Sequence, residues 1–333
     1  MNYAPLIRAI AGADEEQLVP PPQDAKQLFA AMLEGGLPDL ELGALVVALS
    51  RRTLPQWAML AFDAALTDSV LQLARPMYDS DDARPLVIPA YGGAKLQLNL
   101  TPLLVLLAQR LRMPVLVHGT LEGNGRIATA YVFRELGIMP CMTLSQARNA
   151  LDRREPVFVP TGVIAPGLAQ IMSLRKRTGI TGLCHAMAAL IDPFGGAGLR
   201  LVTAEDSCDL GLLRELLLAS GQNALFMAGT EGEVFANPRR RPRVELLRDG
   251  TAMMLFEQEH AHKDAMDSMD AMSTDVGPRA TADYIRQVLE GSMALPPPIA
   301  NQLACCLFAA GHAGDFNEAK AIVAVAMRSL ATV

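Results

Sequence analysis

Three kinds of residue in this chain could do chemistry. They are glycines that can cradle phosphate, carboxylates spaced to share a cation, and arginines bunched as for a polyanion. The glycines, Gly92 and Gly93, lie within Leu86-Val-Ile-Pro-Ala-Tyr-Gly-Gly-Ala-Lys-Leu-Gln-Leu-Asn-Leu-Thr-Pro102. Leu86–Ile88 is a short apolar run that predicts a strand. The glycine pair permits backbone conformations that a side chain forbids. Thr101 predicts a helix N-cap, with Pro102 in the first turn. A strand, a glycine turn carrying Lys95 and Asn99, and a helix N-terminus can hold phosphate through free N–H groups and the helix dipole. The same glycines also read as an ordinary turn.

Glu231 and Glu233 flank Gly232 in Gly229-Thr-Glu-Gly-Glu-Val-Phe-Ala-Asn-Pro238. In extended backbone they share one face, and oxygen ligands suit Mg²⁺. The plainer reading is two solvent-facing glutamates. His118-Gly119-Thr120 follows the apolar run Val115–Val117, and Arg126 closes the glycine-containing turn after it. That arginine can meet an anion. Arg175, Lys176 and Arg177 are consecutive, and Arg239, Arg240, Arg241 and Arg243 crowd a proline-bounded loop. Guanidinium groups suit phosphate, although charge runs also form solvated faces. His260 and His262 have metal-compatible spacing, but their acidic, methionine-rich surroundings read as a polar connection.

The elements that must position these residues fall into three stretches. The first, to about residue 74, is helical, with apolar stripes in Tyr3–Ile10, Lys26–Glu34 and the segments after Asp39 and Thr53. Asp39 is a capping residue, and Thr53 with Gln56 forms a capping-box pattern. Then strands alternate with helices. Leu86–Ile88, Val115–Val117, Val157–Val159, Leu199–Val202 and Ala224–Met227 are strands. Thr101–Leu111, Arg126–Leu136 and Asp209–Ala219 are helices. This alternation predicts a mostly parallel sheet covered by helices. Asp249-Gly250 between Val244–Leu247 and Ala252–Phe256 predicts a hairpin, hence an antiparallel section. Arg175–Pro193 interrupts the α/β pattern with helix, and Ala280–Leu289, Ile299–Ala310 and Phe316–Arg328 close the chain as helices.

The chain is 51% hydrophobic and 19% charged, with a formal net charge of −6. That balance fits a globular α/β protein and gives no global pull toward nucleic acid. No apolar run is long enough to span a membrane, and no secretory signal is evident at the N-terminus. Five cysteines without metal-ligand spacing predict reduced thiols in a cytoplasmic protein. The adjacent Cys305 and Cys306 read as buried structural residues.

Gly92-Gly93…Asn99-Leu100-Thr101 resembles the phosphoribosyl-pyrophosphate loop of the anthranilate phosphoribosyltransferases, Gly-Thr-Gly-Gly-Asp…Phe-Asn-Ile-Ser. Ala90 and Tyr91 stand where that family has Gly-Thr, and Ala94 replaces its aspartate. His118-Gly119 matches the family's Lys-His-Gly-Asn-Arg, with Val117, Thr120 and Leu121 in place of the lysine, asparagine and arginine. Arg175–Pro193 matches Arg-Lys-Glu-Leu-Gly-Ile-Arg-Thr…Asn-Pro in spacing, which puts Arg175 on the arginine that grips anthranilate. Thr181 and His185 fall on the second arginine and the asparagine. Glu231 and Glu233 replace an adjacent Asp-Glu that holds Mg²⁺.

The resemblance implies an α/β fold with a discontinuous helical, dimer-forming domain, residues 1–74 with 166–192. The α/β domain is then residues 75–165 and 193–333. With substrate motifs lost, the chain is most similar to the degenerate, YbiB-like paralogues of this family, homodimers that bind nucleic acid with little sequence preference. That implies a non-catalytic protein without a cofactor. The alternative is a Mg²⁺-dependent phosphoribosyltransferase acting on an aromatic or acidic acceptor, and a third reading is a metabolite sensor using the old cleft.

Overall fold

The computed structural model describes residues 3–11, 22–51, 54–76, 83–180, 183–204, 207–259 and 275–330. Four helices come first: α1 (Ala4–Ala11), α2 (Pro22–Leu33), α3 (Asp39–Ser50) and α4 (Gln56–Ser69). Asp39 is the first helical residue rather than the cap, and α4 begins at Gln56, because Pro38 and Pro55 take the extended N-cap conformation. Thr53 lies outside the described residues.

A seven-stranded sheet follows in the order β3-β2-β1-β4-β5-β6-β7. Its strands are β1 (Leu86–Ala90), β2 (Val115–Gly119), β3 (Val157–Pro160), β4 (Leu199–Ala204), β5 (Ala224–Ala228), β6 (Val244–Arg248) and β7 (Thr251–Phe256). β3 through β5 pair parallel, and β6 and β7 pair antiparallel. The predicted hairpin turns at Asp249 and Gly250, whose φ angles of 50° and 73° suit the twist of a tight hairpin.

Side chains alternate across the parallel strands, as a period of two requires. Leu86 and Ile88 join one core with Val115, Val117 and Leu201. That core is closed by α5 (Thr101–Arg110), α13 (Pro278–Leu289), α14 (Pro297–Ala309) and α15 (Phe316–Leu330). Val87, Leu116 and Val202 face the other core. The N-terminal helices, α9 (Pro166–Ser173), α11 (Leu183–Ala188) and α12 (Ser207–Ser220) cover this second face. Asp63 of α4 is buried there and accepts a 2.7 Å bond from Gln222, which in turn accepts from Arg200 of β4. Burial raises the Asp63 carboxyl above its ordinary range, and Arg200 and Gln222 act against that shift.

The shorter helices α6 (Thr129–Glu135), α7 (Leu144–Asp152), α8 (Thr161–Ile164) and α10 (Arg175–Thr178) complete the chain. α6 begins three residues later than expected, because residues 126–128 cross back to the glycine loop. Ala94 and Ile127 exchange backbone bonds of 3.1 and 2.6 Å. α7 is absent from the sequence reading. Thr143 caps it by accepting from Gln146 N–H at 3.1 Å, the hydroxyl-to-third-residue bond of a capping box. No described helix is long and apolar enough to cross a membrane.

Candidate functional site

The carboxyl ends of parallel strands are where loops of this architecture gather, and all the singled-out loops meet at that edge. After β1 the chain turns at Gly92 and Gly93, the latter with φ of 66°. A Cβ on Gly92 would lie 2.5 Å from the backbone of Gly232. The β1 loop and the β5 loop therefore touch through two glycines.

Thr230 and Glu233 exchange backbone bonds of 2.9 and 3.0 Å, with Glu231 and Gly232 at φ of 54° and 83°. This is a tight reverse turn, not the extended segment that the spacing suggested. Its carboxylates do not face solvent together. Glu233 is fully buried. One of its oxygens accepts Gly93 N–H at 2.6 Å, and the other accepts the hydroxyls of Thr101 and Thr129 at 2.8 and 2.9 Å. Glu231 accepts from the N–H groups of Lys95 and Leu96. Arg126 donates to the Glu231 carbonyl at 2.7 Å.

Thr101 is thus not the N-cap. It is the first helical residue, behind Leu100, and its hydroxyl serves Glu233 instead of the helix. Asn99 takes the capping duty, accepting Thr101 N–H at 3.2 Å while its amide donates to Thr129 and to the Ile127 carbonyl at 3.0 Å each. Burial pushes the Glu233 carboxyl above its ordinary value; the Gly93 N–H, the two hydroxyls and Arg126 offset this in part.

These carboxylates do not fit the Mg²⁺ of the family chemistry. Both oxygens of each are committed to N–H or hydroxyl donors, which compete with a cation for the same lone pairs. Among the described residues, no group of three or more His, Cys, Asp or Glu is placed to hold a metal. His260 and His262 lie outside the described residues.

Beside this cluster, His118 is fully buried at the end of β2. Its Nδ1 is 2.8 Å from the Tyr91 hydroxyl, and Nε2 has no hydrogen-bond partner among the described residues. The Thr161 hydroxyl lies 3.2 Å from the Tyr91 oxygen and donates to the Gly119 carbonyl at 2.9 Å. Burial drives the His118 pKa down to about 3 and lifts the Tyr91 phenol above its usual range. A neutral imidazole held this way is a structural pin.

Across that pin opens a cavity of about 460 Å³, bordered by Thr120, Glu122, Met172, Arg175, Lys176 and His185. Thr120 donates to the Glu122 carbonyl at 3.0 Å. Arg175, Lys176 and Arg177 do not act as one face. Lys176 pairs with Glu122 at 2.6 Å, Arg177 leans toward Asp39 at 3.7 Å, and Arg175 lines the cavity.

The second cationic group sits at the start of β6. Arg240 and Arg243 border a separate cavity of about 230 Å³. Arg243 bonds Glu245 at 2.8 Å, Arg241 stacks 4.5 Å over Phe256, and Arg239 and Arg240 are exposed. Arg214 shares the same buried Glu245 at 2.9 Å, and the two arginines hold that carboxyl below its usual range.

Sequence reasoning missed Thr129, Tyr91 and Thr161. A lone threonine at a helix start carries no distinguishing signal. The Tyr91 substitution in the glycine loop was visible, but its partners depend on tertiary contact.

No family model matches the chain. It is 35% identical over 325 residues to the uncharacterized protein YbiB of Escherichia coli, covering 97% of this chain and 99% of that protein. Anthranilate phosphoribosyltransferase of Methanosphaerula palustris is 23% identical over 329 residues, 97% of this chain and 93% of the enzyme. The anthranilate phosphoribosyltransferase of Thermus thermophilus matches in structure with a TM-score of 0.75 at 22% identity, over 98% of this chain and 94% of that one. The Saccharomyces cerevisiae enzyme, in complex with PRPP and Mg, matches with a TM-score of 0.71 at 14% identity, over 99% and 95%. A mostly parallel sheet with an antiparallel end, shared with these enzymes, and near-complete alignment to YbiB together place the chain: it belongs to the YbiB-like branch of the anthranilate phosphoribosyltransferase-like family.

Proposed function

We propose that this protein is a non-catalytic member of its family that binds nucleic acid, DNA or RNA, with low sequence specificity, and does so as a homodimer without a metal cofactor. One observation carries the non-catalytic part. The N–H and hydroxyl groups that would receive a sugar diphosphate already receive Glu231 and Glu233. Transition-state stabilisation needs donors free to meet developing charge, and here they are spent on the chain itself.

The polymer-binding part is supported by cations on the same sheet edge. The loops after β2 and β5 are three strand spacings apart in the sheet order, roughly 14 Å at about 4.8 Å per strand. Arg175 and Lys176 stand near the first loop, and Arg239–Arg243 stand in the second. Lys176, with Arg177 nearby, is held by an exposed acid whose pairing is worth at most about 1 kcal/mol, so a phosphate backbone can displace that acid cheaply. Homodimerisation is supported by the α1–α3 face, where Leu40 is 81% exposed beside an open groove lined by Ile7, Ile10 and Val47. A second copy would double the run of contacts.

Binding of this kind weakens steeply with salt, because counterions are released from the polymer. Titration of labelled single- and double-stranded DNA at several salt concentrations tests it, alongside sedimentation for the dimer. Absence of binding at low salt rejects the reading.

The 460 Å³ cavity beside Arg175 favours a second reading, a phosphoribosyltransferase with an aromatic or acidic acceptor. Saturable, Mg²⁺-dependent heat on adding phosphoribosyl pyrophosphate would support it, and no heat would count against it.

A further inference from the structure

The cavity of about 230 Å³ at the head of β6 is walled by β5, β6 and the loop joining them, and no residue of the glycine loop lines it. We infer that it is a nucleotide pocket, taking one flat ring inside and the attached phosphate on Arg240 at its mouth. A free mononucleotide and an end nucleotide of a strand offer the same chemistry. The inference extends the nucleic-acid reading at the Arg239–Arg243 loop, and its small-ligand form stands without that reading.

The walls are of two kinds. Phe226, Met227 and Pro242 are buried apolar side chains, whereas Arg240 and Gln258 are exposed. The loop that carries the arginines is fixed from within. Asn237 accepts the Arg239 N–H on its side chain at 2.9 Å and the Arg240 N–H on its carbonyl at 3.1 Å. The arginines then part company. Arg241 stacks on Phe256, and its carbonyl accepts Glu259 N–H at 3.0 Å. Arg240 and Arg243 are left to the cavity. The buried Glu245 carboxylate is shared by Arg214, through bonds of 2.9 and 3.1 Å, and by Arg243 at 2.8 Å. One carboxylate thus answers two guanidiniums. Among the described residues, the Arg240 side chain has no hydrogen-bond or ion-pair partner.

An inorganic anion would satisfy Arg240 and leave the apolar wall unused. An uncharged ring would cover the wall and leave the guanidinium without an anion. A nucleotide meets both needs, because guanidinium binds phosphate and stacks on flat rings, and a base can lie on aromatic side chains whatever its identity. The volume is below the roughly 300 to 1,000 Å³ of drug-sized sites, so the ring enters while sugar and phosphate stay at the mouth.

The test is calorimetry on the full chain with AMP, adenosine and inorganic phosphate as probes. AMP should bind at least about tenfold more tightly than either of the others, since neither carries both parts. Arg240→Ala should weaken AMP binding about tenfold. Ala228→Leu, which adds bulk at an exposed position of the cavity wall, should abolish it. Arg241→Ala removes the same charge from the same loop outside the cavity and should leave AMP binding unchanged. AMP that binds no more tightly than phosphate or adenosine overturns the inference, as does an equal loss in Arg241→Ala and Arg240→Ala, or full AMP binding by a folded Ala228→Leu protein. A labelled oligothymidylate separates the two sources: Ala228→Leu weakens its binding if a strand's own nucleotide occupies the cavity, and leaves it unchanged if the ligand is a free nucleotide. DNA binding without AMP binding sinks this inference and spares the nucleic-acid reading; AMP binding without DNA binding does the reverse.

Discussion

Two halves of one cleft have met different fates. On the glycine-loop side both carboxylates are answered from within: Glu233 by Gly93, Thr101 and Thr129, Glu231 by Lys95 and Leu96. On the other side of His118 a cavity of about 460 Å³ stays open, rimmed by Arg175, Lys176 and His185. The scaffold under both is the same parallel sheet. The contrast teaches that loops on one sheet edge can close by pairing among themselves or leave a cavity. A cluster of buried donors is costly to leave unpaired, because buried donors demand acceptors. A cavity walled partly by methionine and valine makes no such demand and can remain vacant.

His118 joins the two halves, linked to Tyr91 of the glycine loop, which contacts Thr161 of the cavity wall. The comparison breaks most severely if this pin is charged. Its pKa falls from 6.5 to about 3 on folding, so the folded state binds fewer protons than the unfolded state across that interval. The stability this represents is complete above pH 6.5 and drains away as pH falls toward 3. Between pH 6.5 and 4 it amounts to roughly 3 kcal/mol at about 1.4 kcal/mol per pH unit. Urea denaturation across this range should show the wild type losing more stability than His118→Asn by about that amount. Parallel pH profiles for the two proteins would contradict the role.

The next test compares one glycine from each half. Gly92→Ala forces a methyl onto the Gly232 backbone at 2.5 Å, whereas a Cβ on Gly162 at the cavity meets nothing within 4 Å. Overpacking of the first should cost about 2 kcal/mol; Gly162→Ala should stay within about 0.5 kcal/mol of wild type. Equal effects in equilibrium unfolding would mean that the sealed half is no more tightly fitted than the open one.

Much of this contrast was beyond the sequence, and the reasons are physical. The strands, their parallel order and the Asp249-Gly250 hairpin follow from apolar runs and turn chemistry, which act over a few residues. Period-two alternation fixes which face of β1 each side chain takes. Gly92, Gly93, Asn99 and Thr101 stood out because a glycine turn before a helix is local too. What Thr101 bonds was not local. Its partner lies 132 positions away, and a capping hydroxyl looks the same as one serving a distant carboxylate. Extended backbone would put Glu231 and Glu233 on one face, and the left-handed φ of Glu231 reverses that arrangement. The arginine runs were legible as charge, but their division among Glu122, Asp39, Glu245 and Phe256 required the fold.

A third expectation has the opposite pH sign to the first. Burial raises the Glu233 carboxyl above its ordinary value of 4.5. The folded state therefore holds its proton longer than the unfolded state, and stability is lost as pH rises past 4.5. Relative to Glu233→Gln, which does not titrate, the wild type should weaken from pH 4.5 upward. Three donors and Arg126 offset part of the burial. A wild type that instead gains on Glu233→Gln with rising pH would mean that the donors outweigh burial.

The smallest effect belongs to the open half and concerns Lys176. Its partner Glu122 lies 2.6 Å away, with both side chains about 60% exposed. Such a pair holds the lysine weakly, by under about 1 kcal/mol. Glu122→Gln should free the lysine for a phosphate and raise DNA affinity about twofold at fixed salt. It should also steepen the salt dependence by less than about one counterion, the most a single added contact can contribute. Simple gain of net charge would give a similar rise wherever the acid is removed. Glu155 supplies the control, since it pairs with Arg153 at 2.7 Å with comparable exposure but precedes β3, at the opposite edge of the sheet. If Glu155→Gln raises affinity as much as Glu122→Gln, the cavity rim has no special part in binding. If only Glu122→Gln does, and Lys176→Ala cancels the gain in the double variant, the open half of the cleft is where the polymer lies.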